Sequence, residues 1–438
     1  MKLVTGPTRP LPSPSESVLR TLRAFGRDPL EAPGVYFDRL GETFEFRILG
    51  QRTVLTRDPH WLDEVLVKQA KSFDKDRLTK NLAKLMGQGL LVRDGSAWRE
   101  RRRLLSPAFL PREVDAHLGL FAREAQRELA GWRPGQVIDL HAAMARVTMR
   151  IALIALFGYE PRAGEHFETQ MAAAMRYFEG IGGTQIPLPA WIPTRTNRAF
   201  SRACAELRAL ASRLIERPAA EGTALAALQS GRAEGQLGRD DVLDEVMTLL
   251  VAGHETSALS LTYLLAELGL AQHLQEPIAA EAQQFADPPT AKDIMQRGAV
   301  HRAVLEGLRL YPVAWAVGRE PIEDVCIADH TIEKGTQVYL FQWSLQRSDR
   351  YFDRARQFSP DRFVERPLAS LPKGTFAPFG LGPRICVGQQ FALTEIAVTL
   401  SEVLRAFRID TVSPYPPRLR ASITARPQGP VLIRVRPR

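Results

Sequence analysis

The most constraining stretch of this chain is Phe379-Gly380-Leu381-Gly382-Pro383-Arg384-Ile385-Cys386-Val387-Gly388, a glycine-rich loop that runs directly into helical periodicity over 389–407. Such a loop presents one thiolate at a helix N-terminus, where backbone N–H groups and the positive dipole end favour an anion. Gly380, Gly382 and Gly388 remove side chains where a flat ligand must lie close to the backbone. Phe379 is placed to cover one side of the sulfur and exclude water. A lone cysteine is ordinarily a small buried hydrophobe, and Cys204 and Cys326 are read that way. The pattern around Cys386 reverses that reading.

Helical periodicity supplies most of the chain around this loop, with spans predicted at 114–131, 138–157, 195–216, 240–270, 298–311 and 389–407. Alternation over Thr43–Leu55 predicts a β-hairpin turning near Gly50, and two more strand-rich regions lie at 316–342 and 418–437. Pro-rich breaks fall at 187–194 and 412–417, and 218–239 reads as a surface loop. The expected fold class is therefore mainly α with minor, sequence-scattered β. A Pro- and Arg-rich extended lead over 1–30 would precede one catalytic domain over 31–438. Apolar and charged fractions of 45% and 24% argue against disorder.

No run approaches the roughly 20 apolar residues that span a bilayer. The start Met1-Lys2-Leu3-Val4 lacks the apolar core of a secretory signal. A cytoplasmic monomer without a transmembrane anchor is expected. Three cysteines with no CxxC pair support neither a disulfide framework nor a zinc finger. The formal charge of +9 comes from arginine spread along the whole chain, so nucleic-acid binding is not the reading. Arg99, Arg101 and Arg103 cluster locally and suit an acidic protein partner.

Other segments carry chemistry by spacing. Glu306 and Arg309, at i and i+3, share a helix face and can pair. In Ala252-Gly253-His254-Glu255-Thr256-Ser257 the Thr256 hydroxyl can bond back to the carbonyl of Ala252 and open the helix locally. His254-Glu255 raises the zinc motif HExxH, but Ala258 stands where the second histidine belongs, so that reading fails. Asp94-Gly95-Ser96-Ala97-Trp98 opens a helix with Ser96 as its cap, and Trp98 and Arg102 share one face.

The cysteine loop resembles the haem-binding loop of the cytochrome P-450 family at every fixed position of FGxGxRxCxG. Residues 252–257 resemble that family's oxygen-binding segment, Pro360-Asp361-Arg362-Phe363 its PERF segment, and Trp98 with Arg102 its WxxxR pair. These regions follow the family order across 30–435. The resemblance implies a P-450 fold holding haem b, with Cys386 as the iron ligand. It implies that Gly253 gives space beside the iron, with Ala252 alongside it. Thr256 and Glu255 would then deliver protons to bound O2. Trp98, Arg102, Arg319 and Arg384 would meet the haem propionates, and Glu306, Arg309 and Arg362 would form a buried structural network.

Family position nominates Leu85, Met86, Tyr177, Phe178, Val313, Trp315 and Ile423 (in the 422–424 turn) as substrate contacts. The expected reaction inserts one atom of O2 into a hydrophobic small molecule of the fatty acid, terpenoid, steroid or carotenoid class. Electrons would come from NAD(P)H through a ferredoxin or flavodoxin and its reductase. The alternatives are a peroxygenase, a non-oxidative haem-thiolate enzyme, and more distantly a haem sensor.

Overall fold

The computed structural model describes residues 9–438 apart from Leu49, Ala163, His166, 179–191 and 296–297. Its main helices are α1 (Val18–Arg27), α2 (Gly95–Leu105), α3 (Leu118–Leu129), α4 (Leu140–Phe157), α5 (Arg195–Ile215), α6 (Ala224–Ala233), α7 (Arg239–Leu270), α8 (Ala299–Leu310) and α9 (Gln389–Ala406). Most of them match the predicted spans to within a few residues.

Helix α7 is the axis of the molecule, packed against α4, α5, α8 and α9. Its first turn carries Asp240 and Asp241, and the Asp241 carboxylate accepts the Gly238 N–H at 3.0 Å. Negative charge there suits the helix dipole. Apolar residues occur on every side, so the helix must be enclosed. From Val242 to Gly269 only Asp244, Ala252, Gly253, Thr256 and Glu267 escape full burial. Helix α4 begins at a genuine cap, with Asp139 accepting the His141 N–H at 3.1 Å, and ends at left-handed Gly158. It is long and apolar enough to cross a membrane, yet it lies largely buried beside α7.

The strands are β1 (Thr43–Ile48), β2 (Gln51–Thr56), β3 (Phe73–Lys75), β4 (Val137–Asp139), β5 (Val317–Pro321), β6 (Val325–Ile327), β7 (His330–Ile332), β8 (Gln337–Leu340), β9 (Phe407–Thr411), β10 (Leu419–Ala421), β11 (Ala425–Pro427) and β12 (Leu432–Pro437). The largest sheet has the order β1-β2-β8-β5-β3, in which only β2 and β8 run parallel. A second has the order β4-β12-β9, while β6-β7 and β10-β11 are separate hairpins. The expected turn near Gly50 is present, with Ile48 opposite Gln51.

Three local expectations are corrected. Part of the 1–30 lead is helical. Residues after Pro14 form α1, where Phe25 packs edge-on against Tyr36 and Phe46. Before it, the chain stays extended, with Arg9 and Glu45 N–H groups bonding Asp329 and Pro12 carbonyls. The 218–239 loop contains α6, an Ala/Leu run capped by Thr223 and bounded by left-handed Gly222 and Gly235. Ser96 is not a cap, because α2 starts at Gly95 with Asp94 in the capping position. The Pro-rich break at 187–194 lies mostly outside the described residues.

Candidate active site

The Cys386 loop is a stack of tight turns, in which the Cys386 N–H bonds the Phe379 carbonyl at 2.9 Å. Gly380 and Gly382 have φ of +73° and +68°, backbone values that favour glycine. At Gly382 a Cβ would lie 1.9 Å from the Leu66 carbonyl oxygen, so this glycine clears a neighbouring backbone and not a ligand. At Gly388 a Cβ would only touch the Phe109 ring, at 3.6 Å. The Cys386 thiol is exposed to open space inside the protein, beside the half-buried Phe379. Burial pushes the thiol up, against the opposing pull of the Gly388 backbone N–H and the Arg102 guanidinium. Neither other cysteine is fully buried, and Cys326 is exposed, contrary to its reading as a buried hydrophobe.

Cations from four distant segments converge beside the loop. Arg384 pairs with Asp94 at 2.8 Å and stacks on Trp98 with its guanidinium carbon 4.6 Å from the ring centroid. Arg102 donates to the Ile385 carbonyl at 2.6 Å, and burial lowers its pKa. Arg319 on β5 lies directly across the strand pair from Lys75 on β3. Both are buried, and like charges directly opposed across strands repel. Burial first, then neighbouring arginines, pushes Lys75 well down and Arg319 down to about 10. Asp76 is already engaged, accepting from the Leu78 and Thr79 backbones and the Thr79 hydroxyl. A crowded set of buried cations with committed counter-ions suits a ligand that brings its own carboxylates, as haem does. Lys75 carried no motif and was missed. Arg101, assigned to the exposed cluster, is buried against Asp241 at 2.7 Å.

Across the site, Ala252, Gly253 and Thr256 form the incompletely buried face of α7. The Thr256 hydroxyl donates to the Ala252 carbonyl at 2.9 Å, as its spacing predicted. Gly253 turns its missing side chain elsewhere. A Cβ there would sit 3.4 Å from Leu156 on α4, so this glycine serves helix packing. Glu255 is buried and paired with Arg426 of β11 at 2.9 Å, with His141 Nε2 at 4.0 Å. His254 is buried with neither ring nitrogen hydrogen-bonded, and burial lowers its pKa to about 4, leaving it neutral. Among the described residues no His/Cys/Asp/Glu cluster suits a bare metal ion.

An apolar pocket of about 100 Å³ gathers Phe178, Trp315 and Ile423 from the nominated substrate residues, with Leu78 and Leu82 added. Trp315 is fixed by its indole N–H, which donates to the Ser422 carbonyl at 2.9 Å. Leu85, Met86, Tyr177 and Val313 are buried outside this lining. Tyr177 instead stacks on Phe200, with centroids 4.1 Å apart.

Glu306, Arg309 and Arg362 meet in one buried cluster. Arg309 donates two bonds to the Glu306 carboxylate, at 2.7 and 2.8 Å, and Arg362 Nε adds contacts at 2.9 and 3.0 Å. Arg309 also donates to the carbonyls of Gln346, Ala355 and Gln357, tying the chain ahead of the cysteine loop to α8.

The sequence model described as Cytochrome P450 matches residues 18–434. Cyclooctat-9-en-7-ol 5-monooxygenase of Streptomyces melanosporofaciens is 28% identical, covering 85% of this chain and 83% of its own. Pentalenene oxygenase of Streptomyces avermitilis is also 28% identical, with 89% and 91% covered. Among solved structures, the cytochrome P450DA heme domain superposes with a TM-score of 0.86 at 25% identity, over 98% of each chain.

Proposed function

The chain belongs to the cytochrome P450 family, whose members use haem iron and O2, and is a P450 monooxygenase; from that premise we propose that Cys386 ligates the iron and that the site oxidises a terpenoid-class substrate. The observation that carries this reading is the exposed Cys386 thiol at the head of α9, with the half-buried Arg102 guanidinium beside it. When bound, the haem supplies activation of O2, which thiolate ligation favours. The chain's own residues do the rest. Lys75, Arg319, Arg384, Arg102 and Trp98 would hold the haem, the cations by pairing with its carboxylates. Thr256, open to the cleft, presents a hydroxyl that hands a proton inward, and Glu255 behind it replenishes that proton. Ala252 leaves room beside them.

Phe178, Trp315 and Ile423 exclude water and hold an apolar skeleton. Of the fatty acid, terpenoid, steroid and carotenoid classes, terpenoids come first, because the names of two relatives specify cyclooctat-9-en-7-ol and pentalenene. Insertion of one oxygen atom consumes two electrons and two protons and releases water. The electrons come from NAD(P)H through a ferredoxin or flavodoxin and its reductase, with exposed Arg99 and Arg103 facing the donor in the cytoplasm.

The test is the reduced, CO-treated spectrum together with NAD(P)H- and O2-dependent product formation from a sesquiterpene. A Soret band diagnostic of sulfur ligation, lost in Cys386→Ser, is expected. Thr256→Ala should keep that band while uncoupling NAD(P)H use from product. A band that survives Cys386→Ser overturns the ligand assignment. Turnover that needs peroxide and ignores NAD(P)H indicates the peroxygenase alternative.

A further inference from the structure

Glu255 does not point freely into the cleft, and what holds it comes from an unexpected element. Arg426 lies on β11, just past the 422–424 turn whose Ser422 and Ile423 line the pocket. The hairpin is pinned from both sides: the Ala425 N–H donates to the Val313 carbonyl at 2.9 Å, and the Tyr263 hydroxyl of α7 donates to the Ala425 carbonyl at 2.7 Å. Arg426 stands opposite Arg420 in the hairpin register, so its charge needs an anion. Its side chain is 8% exposed and that of Glu255 is 2% exposed, at a separation of 2.9 Å. Leaving a buried charge without its partner is strongly destabilising, so such a pair fixes where the carboxylate sits. That place is within 4.0 Å of the buried Nε2 of His141, a side chain that is itself 21% exposed.

We propose that Arg426 is a positioning residue that holds the Glu255 carboxylate between His141, at the outer end of the proton route, and Thr256, at its inner end. The pocket-lining turn and the proton route then belong to one hairpin. The inference rests on the proton-delivery reading of Glu255 and Thr256 and adds to it the group that sets the geometry. Charged or titratable groups facing Glu255 are Arg426 from β11, His141 from α4, and His254 and Tyr263 from α7 itself. His141 and His254 are both held near a pKa of about 4 by burial, so neither competes as a cation at neutral pH.

The experiment uses haem-loaded protein with a surrogate ferredoxin and reductase. It compares NAD(P)H oxidation in H2O and D2O for wild type, Arg426→Ala, Arg426→Lys and Glu255→Gln. Arg426→Ala is expected to change the solvent isotope effect about twofold, in the same direction as Glu255→Gln. The reduced-CO band and the KM for ferredoxin should stay unchanged. Arg426→Lys keeps the charge without the planar fork and should fall between wild type and Arg426→Ala. If Arg426→Ala does not take up haem, the lysine variant decides alone. A wild-type isotope effect in a loaded Arg426 variant, alongside an altered one in Glu255→Gln, overturns the role of Arg426 only. An unaltered effect in Glu255→Gln overturns the proton-delivery reading beneath it.

Discussion

At the residue scale the site divides by how far each partner lies along the chain. The Thr256 back-bond and the tight turns around Cys386 were legible because each is written locally, one at i, i+4 spacing and the other in a glycine loop. Lys75, Asp94 and Arg426 were not, because each takes its meaning from a residue far away in sequence. Lys75 is the sharpest case, a buried ammonium set across the strands from Arg319, whose pKa burial drives well below the usual lysine range. Such a charge destabilises the protein until a carboxylate arrives. Lys75→Met should therefore raise the Tm of apoprotein, by the equivalent of about 1–2 kcal/mol. The same change should speed haem loss to a scavenger protein about tenfold, since one charge-assisted bond is removed. Calorimetry of the apoprotein and stopped-flow haem transfer check the two signs. A less stable apoprotein with unchanged haem retention would mean that Lys75 is satisfied by protein alone.

At the element scale, long elements with strong periodicity were legible from the sequence. Helices α5, α7, α8 and α9 fell within two residues of their predicted ends, because each carries an uninterrupted buried pattern. Helix α1 was hidden behind the prolines that precede it, and α6 behind its flanking glycines. The glycine loop was found for a reason only partly right. Gly382 is demanded by the Leu66 carbonyl, which belongs to a widened helical turn at Glu64–Lys68 that no sequence pattern announces. Gly382→Ala must push that backbone away and also hold φ near +68° with a side chain. It should destabilise the protein by several kcal/mol, on the order of 3 or more, and prevent haem incorporation. Gly388→Ala meets only a phenyl ring at ordinary contact distance and should load haem normally. Denaturant unfolding with absorbance-detected haem content separates the two. Equal behaviour would show that clearance for a flat ligand sets both positions.

At the scale of the whole molecule, α7 and α9 pack together as an interior wall of the helical core, and that wall contains buried acids. Glu395 on α9 is fully enclosed, neither carboxyl oxygen has a well-formed hydrogen bond, and burial drives its pKa up to about 8 despite the nearby Ser257 hydroxyl. Glu245 on α7 is pushed up to about 7 by burial, opposed by the Leu90 N–H and Arg101. An acid whose folded pKa exceeds its unfolded value binds its proton more tightly in the folded state. Its stabilising contribution is thus complete below the unfolded carboxylate range near 4.5 and is lost as pH rises through 7 to 8. Global stability should therefore decline between pH 5 and pH 9 in a way that surface charge does not explain. Glu395→Gln replaces the protonated acid with a neutral group of the same shape. It should match wild type at pH 5 and exceed it at pH 9 by about 2–4 kcal/mol, since each unit of pKa difference is worth about 1.4 kcal/mol. Unfolding curves of the haem-loaded protein across that range supply the measurement. Parallel pH dependence in the two proteins would place the proton of Glu395 in the unfolded and folded states alike. The wall between α7 and α9 would then hold its acid by some contact other than a shared proton.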